Sequence, residues 1–252
     1  MTIVISRRSM LVGLATLALP WKAQAEELSV DSAEGPIKVT RFAAADSAPR
    51  PAVLILHGSG GTELNPKVYT DHAEAIAGIG IDAYLVYYYT AADHSFLSDK
   101  AHTVRDHRAY NLGRFAAWAT RTSDAVAFVK GKAGSSGRVG LLGVSLGGYI
   151  AAEAAAQDDR ISALVIFYAG MPPGLRGNVR HMPPLLAFHG DADRLVPLSE
   201  GRTLVQLAQN AGAQADLVVY PGKRHGFDFK ENDPDALDAM NRTKAFLTKT
   251  LL

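Results

Sequence analysis

Nearly unbroken apolar runs alternate along this chain with longer stretches in which apolar residues recur every three or four positions. The runs Ala52–Leu56, Ile81–Tyr88, Val139–Val144, Ala163–Tyr168, Leu185–His189 and Leu217–Tyr220 are rich in β-branched and aromatic residues, which predicts strands buried on both faces. Helical spacing between them predicts helices over Tyr69–Ala77, Leu112–Lys130, Leu146–Gln157, Ser199–Ala211 and Asp235–Lys249. Glu27–Asp31 and Ile37–Arg41 flank Glu34-Gly35-Pro36 and read as a hairpin. Buried strands separated by helices predict an α/β fold, with a mainly parallel sheet covered by helices on both sides.

The first 25 residues follow a different pattern. Arg7 and Arg8 precede an apolar run, Met10–Leu19, and then Ala23-Gln24-Ala25, a small-x-small cleavage site. This is the order of a secretory signal peptide, and Ser6-Arg7-Arg8-Ser9-Met10-Leu11 resembles a twin-arginine export motif. The run is shorter than the ~20 residues that a membrane span needs. The expectation is export to the periplasm or beyond, cleavage near Ala25, no stable membrane insertion afterwards, and one folded domain over 26–252. The 252 residues suffice for one large α/β domain. Formal net charge is +1; loss of Arg7, Arg8 and Lys22 from the 26 basic residues leaves 23 against 25 acidic ones. Neither balance suits a nucleic-acid partner. There is no cysteine, which excludes thiol catalysis and cysteine-ligated metals.

The chemistry centres on Gly143-Val144-Ser145-Leu146-Gly147. This G-x-S-x-G sequence closes a predicted strand and opens an Ala-rich helix, the setting of a nucleophile elbow. Its glycines leave room at a sharp turn, and the helix start brings N–H groups to a developing oxyanion. A serine hydroxyl needs a base, and the base needs an orienting acid. In this fold the order is serine, acid, histidine. Asp193 follows one late strand, with Asp191 two residues before it, and His225 follows the last strand. The N–H of Leu146 is one expected oxyanion donor. The second falls on His57-Gly58-Ser59-Gly60-Gly61, from Ser59 or Gly60, with Ser59 favoured.

Other residues receive lesser roles. Gly60, Tyr88 (or Tyr89) and Tyr149 are candidate substrate-lining residues, with Glu63 and Arg114 behind them. His57 and His189 are expected to bond nearby backbone, and Trp118 to pack. Thr90–Arg108 holds Asp93, His94, Asp99, His102, Asp106 and His107, but not in metal-ligand spacing. It reads as a solvated loop with helix caps that can wall the substrate pocket.

The segments HGSGG, GVSLGG, HGDADRLVP and YPGKRHGF resemble the dienelactone hydrolase family of α/β-hydrolases, from about Ala52 to the C-terminal helix. The acid-loop pattern G-x-x-D-x-x-V-P falls on Gly190, Asp193, Val196 and Pro197, and so selects Asp193 over Asp191. The namesake enzymes carry cysteine as nucleophile; serine here turns the implied substrate from dienelactones toward simple esters. Ala169–Pro184 is too short for a helical cap, which implies an open site. The resemblance implies a Ser145–His225–Asp193 hydrolase of small ester or lactone substrates, needing no metal or cofactor. Peptide or thioester cleavage and acyl transfer use the same machinery, and a non-catalytic binding protein is the alternative of another class.

Overall fold

The computed structural model describes residues 25–45, 49–230 and 232–252. The expected signal segment, except for Ala25, lies outside the described residues.

Among the described residues eight strands form a mixed sheet in the order β1-β2-β4-β3-β5-β6-β7-β8. β1 (Ala25–Val30) and β2 (Ile37–Phe42) are the predicted hairpin. Gly35 makes its turn with a φ of 91°, a left-handed value that glycine adopts without strain. β2 runs antiparallel to β4 (Asp82–Tyr87), and from there every pairing is parallel. The parallel strands are β3 (Arg50–Leu56), β4, β5 (Ser135–Val144), β6 (Ile161–Phe167), β7 (Leu185–Gly190) and β8 (Ala215–Tyr220).

Alternation along β3 shows why these strands are apolar on both faces. Leu54 and Leu56 pack among α3 (Val104–Gly131), α4 (Leu146–Gln157) and α5 (Leu198–Asn210). Val53 and Ile55 pack on the other side, with α1 (Pro66–Ala77) and α6 (Pro234–Leu251). Both faces are therefore dry, as βαβ connectivity requires. Between β6 and β7 lies only one short 3₁₀ turn, Pro173–Leu175, so no helical cap covers the sheet edge.

The stretch expected to be a solvated loop is instead mostly helical. α2 spans Ala91–Ser98, and α3 begins at Val104 rather than near Leu112. Thr90 with Asp93, and Thr103 with Asp106, each form a reciprocal capping box that starts a helix. The first turns of α3 bury no side chain before Phe115, and Val104 is 86% exposed, so the apolar period fades there. Asp93 is fully buried, where its carboxylate accepts from Thr90, Tyr110, Arg114 and Trp118. These donors outweigh burial and hold its pKa down at about 2. Arg114, whose other partner is Glu34, thus bolts α3 to the hairpin turn, and with Glu34, Asp93 and Tyr110 it lines a cavity of about 380 Å³ that includes none of Ser145, Asp193 and His225.

Candidate active site

The turn from β5 to α4 places Ser145 at the C-terminal edge of the parallel strands, where α/β sheets bind ligands. Its backbone has φ 53° and ψ −116°, a strained conformation costing about 1–3 kcal/mol. Two glycines make the turn possible. A Cβ on Gly143 would stand 2.5 Å from Gly148 Cα, and one on Gly147 2.5 Å from the His57 carbonyl oxygen. Ser145 N–H donates to the Phe167 carbonyl at 3.0 Å, and the Ser145 carbonyl accepts from Gly148 N–H at 2.8 Å. The side chain is left free to point off the sheet.

Ser145 Oγ lies 2.8 Å from His225 Nε2. His225 Nδ1 lies 2.8 Å from Asp193 Oδ2. The other carboxylate oxygen, Oδ1, accepts from the N–H groups of Leu195 and Val196 at 2.8 and 2.9 Å. The Asp193 side chain is fully buried, while that of His225 keeps 19% exposure. One oxygen therefore fixes the acid in its loop and the other faces the imidazole.

Asp191 has a different task. Its Oδ1 accepts from Gly222 N–H at 2.6 Å, and backbone bonds join Asp191 to Tyr220 and Ala192 to Lys223. It clamps the acid loop to the loop that carries His225. His189 stays close by, with Nε2 3.7 Å from Asp193 but 2.9 Å from the Val196 carbonyl, to which it donates. Burial lowers its pKa and keeps it neutral.

The loop after β3 is held from beneath by three tyrosines. Tyr69 Oη accepts from Gly58 N–H at 2.9 Å, Tyr88 donates to the His57 carbonyl at 2.7 Å, and Tyr89 to the Ser59 carbonyl at 3.2 Å. His57 stacks on Tyr88 with centroids 4.1 Å apart and donates from Nδ1 to the Gly58 carbonyl at 2.8 Å. Complete burial pushes its pKa down to about 4, so it is neutral. The expectation that Tyr88 lines a pocket is corrected: it is fully buried beneath the loop. Gly60 and Glu63 are exposed on that loop, and Tyr149, one turn past Ser145, lies 3.3 Å from Glu200 through its hydroxyl.

Sequence reasoning did not single out Tyr168 and Asp228. Tyr168 has φ 38°, is fully buried, and donates to Asp228 Oδ1 at 2.6 Å. Its ring stands edge-on to that of His225, with centroids 4.5 Å apart. Asp228 Oδ2 lies 3.5 Å from His72 Nε2. Burial raises the Asp228 pKa to about 6 and lowers that of His72 to about 4. The αL conformation of Gly226, φ 72°, lets the chain turn from His225 to Asp228. The loop is thus anchored on both sides of His225. A pairing of three-residue spacing after a histidine carries no motif, so only the fold reveals it.

The sequence profile of the dienelactone hydrolase family matches residues 39–251. Among solved structures, a dienelactone hydrolase from Anabaena variabilis superposes with a TM-score of 0.72 at 22% identity, covering 92% of this chain and all of that one. A dienelactone hydrolase-like promiscuous phosphotriesterase from metagenomic libraries gives 0.75 at 17% identity, covering 92% and 100%. These likenesses establish a shared fold. An isoprenylcysteine α-carbonyl methylesterase from Arabidopsis thaliana is 43% identical over 44 residues, 18% of this chain and 10% of that one. The match therefore spans only a tenth of that curated relative. With the family profile covering nearly all of the described chain, this protein belongs to the dienelactone hydrolase family of α/β-hydrolases.

Proposed function

We propose that the protein is a serine hydrolase that cleaves small carboxylic esters or lactones through an acyl-enzyme on Ser145. The observation that carries this reading is the continuous hydrogen-bonded line Ser145–His225–Asp193, anchored at a strained elbow. Asp193 accepts from His225 Nδ1–H and so leaves Nε2 as the acceptor for the serine proton. His225 takes that proton as Ser145 Oγ attacks the carbonyl carbon, and returns it to the departing alkoxide. Water, deprotonated by the same nitrogen, then releases the acid and restores Ser145.

The oxyanion receives two N–H groups. Leu146 is the first residue of α4, where the N–H has no acceptor within the helix. For the second donor, Gly58 N–H is spent on Tyr69, which favours the next peptide. The Gly58 carbonyl points toward His57 and Gly61, so the trans peptide directs Ser59 N–H the opposite way. Export rests on residues 1–25 alone and stays part of the proposal; N-terminal sequencing of protein recovered from the periplasm tests it.

The decisive assay is hydrolysis of acyl esters of graded chain length, lactones, thioesters and amides by wild type and Ser145→Ala. Ester or lactone turnover that falls at least ~10⁴-fold in Ser145→Ala supports the reading. Full activity in the variant, or turnover of amides alone, overturns it.

A further inference from the structure

Glu153 takes no part in the machinery above. It lies on α4, eight residues past Ser145 and four past Tyr149, so helical spacing sets it roughly 12 Å along the axis from the nucleophile. The residue is only 5% exposed. Among the described residues no hydrogen bond or ion pair reaches its carboxyl, and burial alone acts on it, raising its pKa. Other buried carboxylates of this fold have partners: Asp93 has Arg114 and Trp118, Asp158 has Arg160, and Asp193 has two N–H groups and His225. The Glu153 oxygens keep contact with solvent, so a cation entering from outside can reach a carboxylate that the protein leaves without a donor.

The surroundings show where a partner enters. Glu153 borders a cavity of about 390 Å³ between α3, α4 and the 3₁₀ turn. The rest of the lining includes Leu112, Phe115, Ala116, Pro172, Pro173 and Leu175 and carries no other ionisable side chain. Leu112 is 49% exposed, so the mouth is open. Tyr149, one turn past Ser145 on α4, has its ring 5.8 Å from that of Phe115. A volume of this size suits a small molecule, and one carboxylate in an apolar lining calls for a cation with an apolar body.

We propose that this groove is a binding site, separate from the Ser145 centre, for a small primary organic ammonium whose alkyl part lies against Phe115, Pro172 and Leu175. The ammonium supplies the donors and charge that Glu153 lacks. Phe115 adds a ring face for the cation. Glu153 is ionised in the complex.

Calorimetric titration of the whole protein with n-hexylammonium, n-hexanol and hexanoate tests this. The expected result is n-hexylammonium binding that weakens at least ~10-fold in Glu153→Gln, with n-hexanol weaker and indifferent to the substitution and hexanoate not bound. Ser145→Ala is expected to bind n-hexylammonium as wild type does. Glu153→Gln removes a desolvated charge and is expected to melt no lower than wild type, which keeps the comparison valid. Equal n-hexylammonium affinity in wild type and Glu153→Gln overturns the proposal. So does n-hexanol binding as tightly as the ammonium, or no heat from millimolar n-hexylammonium.

Discussion

His57 and His225 each follow a strand, each precede a glycine, and both sit at the C-terminal edge of the sheet. Their surroundings are opposite. His57 is buried, stacked on Tyr88, and spends its Nδ1–H on a backbone carbonyl. His225 is partly exposed, faces a buried carboxylate through Nδ1, and presents Nε2 to a hydroxyl. A histidine becomes a base when one nitrogen is oriented by an acid and the other is left free for a proton. It becomes a structural ring when desolvation keeps it neutral and the backbone takes its donor. Sequence neighbours do not separate these cases, because the deciding partners are 32 residues away for His225 and one residue away for His57.

The largest contrast is kinetic. His225→Gln is expected to lower kcat by ~10³-fold or more with little change in KM. His57→Gln is expected to keep kcat within ~10-fold and to lower the melting temperature, because it breaks a packed stack. Equal kinetic losses in the two variants break the distinction. The same logic divides the two aspartates. Asp193→Asn is expected to cost up to ~10⁴-fold in kcat by spoiling the imidazole tautomer. Asp191→Asn keeps an acceptor for Gly222 N–H and is expected to lose no more than ~10-fold.

Smaller effects sharpen the comparison through pH. The Asp228 pKa stands at about 6 in the folded protein, above the ordinary 3.8. Between these values the folded state holds a proton that the unfolded chain has released, so this group's contribution to stability falls as pH rises. Asp228→Asn lacks that loss. Its stability relative to wild type is therefore expected to improve from pH 4 to pH 7, by roughly 3 kcal/mol at most. His57 and His72 act in the reverse sense, losing stability as pH falls below their ordinary value; the His57 contribution is common to both proteins and cancels, while that of His72, 3.5 Å from Asp228, is read from His72→Gln at the same pH values. Denaturant titrations at both pH values give the difference; no change contradicts the assigned burial. The smallest effect is expected for Tyr88→Phe, about 1–2 kcal/mol of stability from a buried carbonyl left without its donor, with kcat nearly unchanged. A large loss of kcat with normal stability would return Tyr88 to the substrate site.

What the sequence made legible follows from what is local. The elbow, the acid loop and the histidine loop are short segments whose glycines and neighbours fix their own turns, and the strands announce themselves by two-sided burial. The loop reading of Thr90–Arg108 gives way because the start of α3 buries no side chain before Phe115 and has no apolar period, while the capping boxes that begin α2 and α3 are polar signals. Asp93 looked solvated because its donors Tyr110, Arg114 and Trp118 arrive one to two helical turns apart on a later helix. Tyr88 ends a strand, where ligands often lie, but its side chain points below the loop rather than above it. Tyr168 and Asp228 are 60 residues apart and meet only in the folded chain.

The central claim is that Ser145 is the nucleophile. Incubation with a fluorophosphonate, followed by peptide mass spectrometry, tests it most directly. The account predicts one adduct on Ser145, absent in Ser145→Ala and strongly slowed in His225→Gln. An adduct on another residue, or none on the wild-type protein, would contradict it.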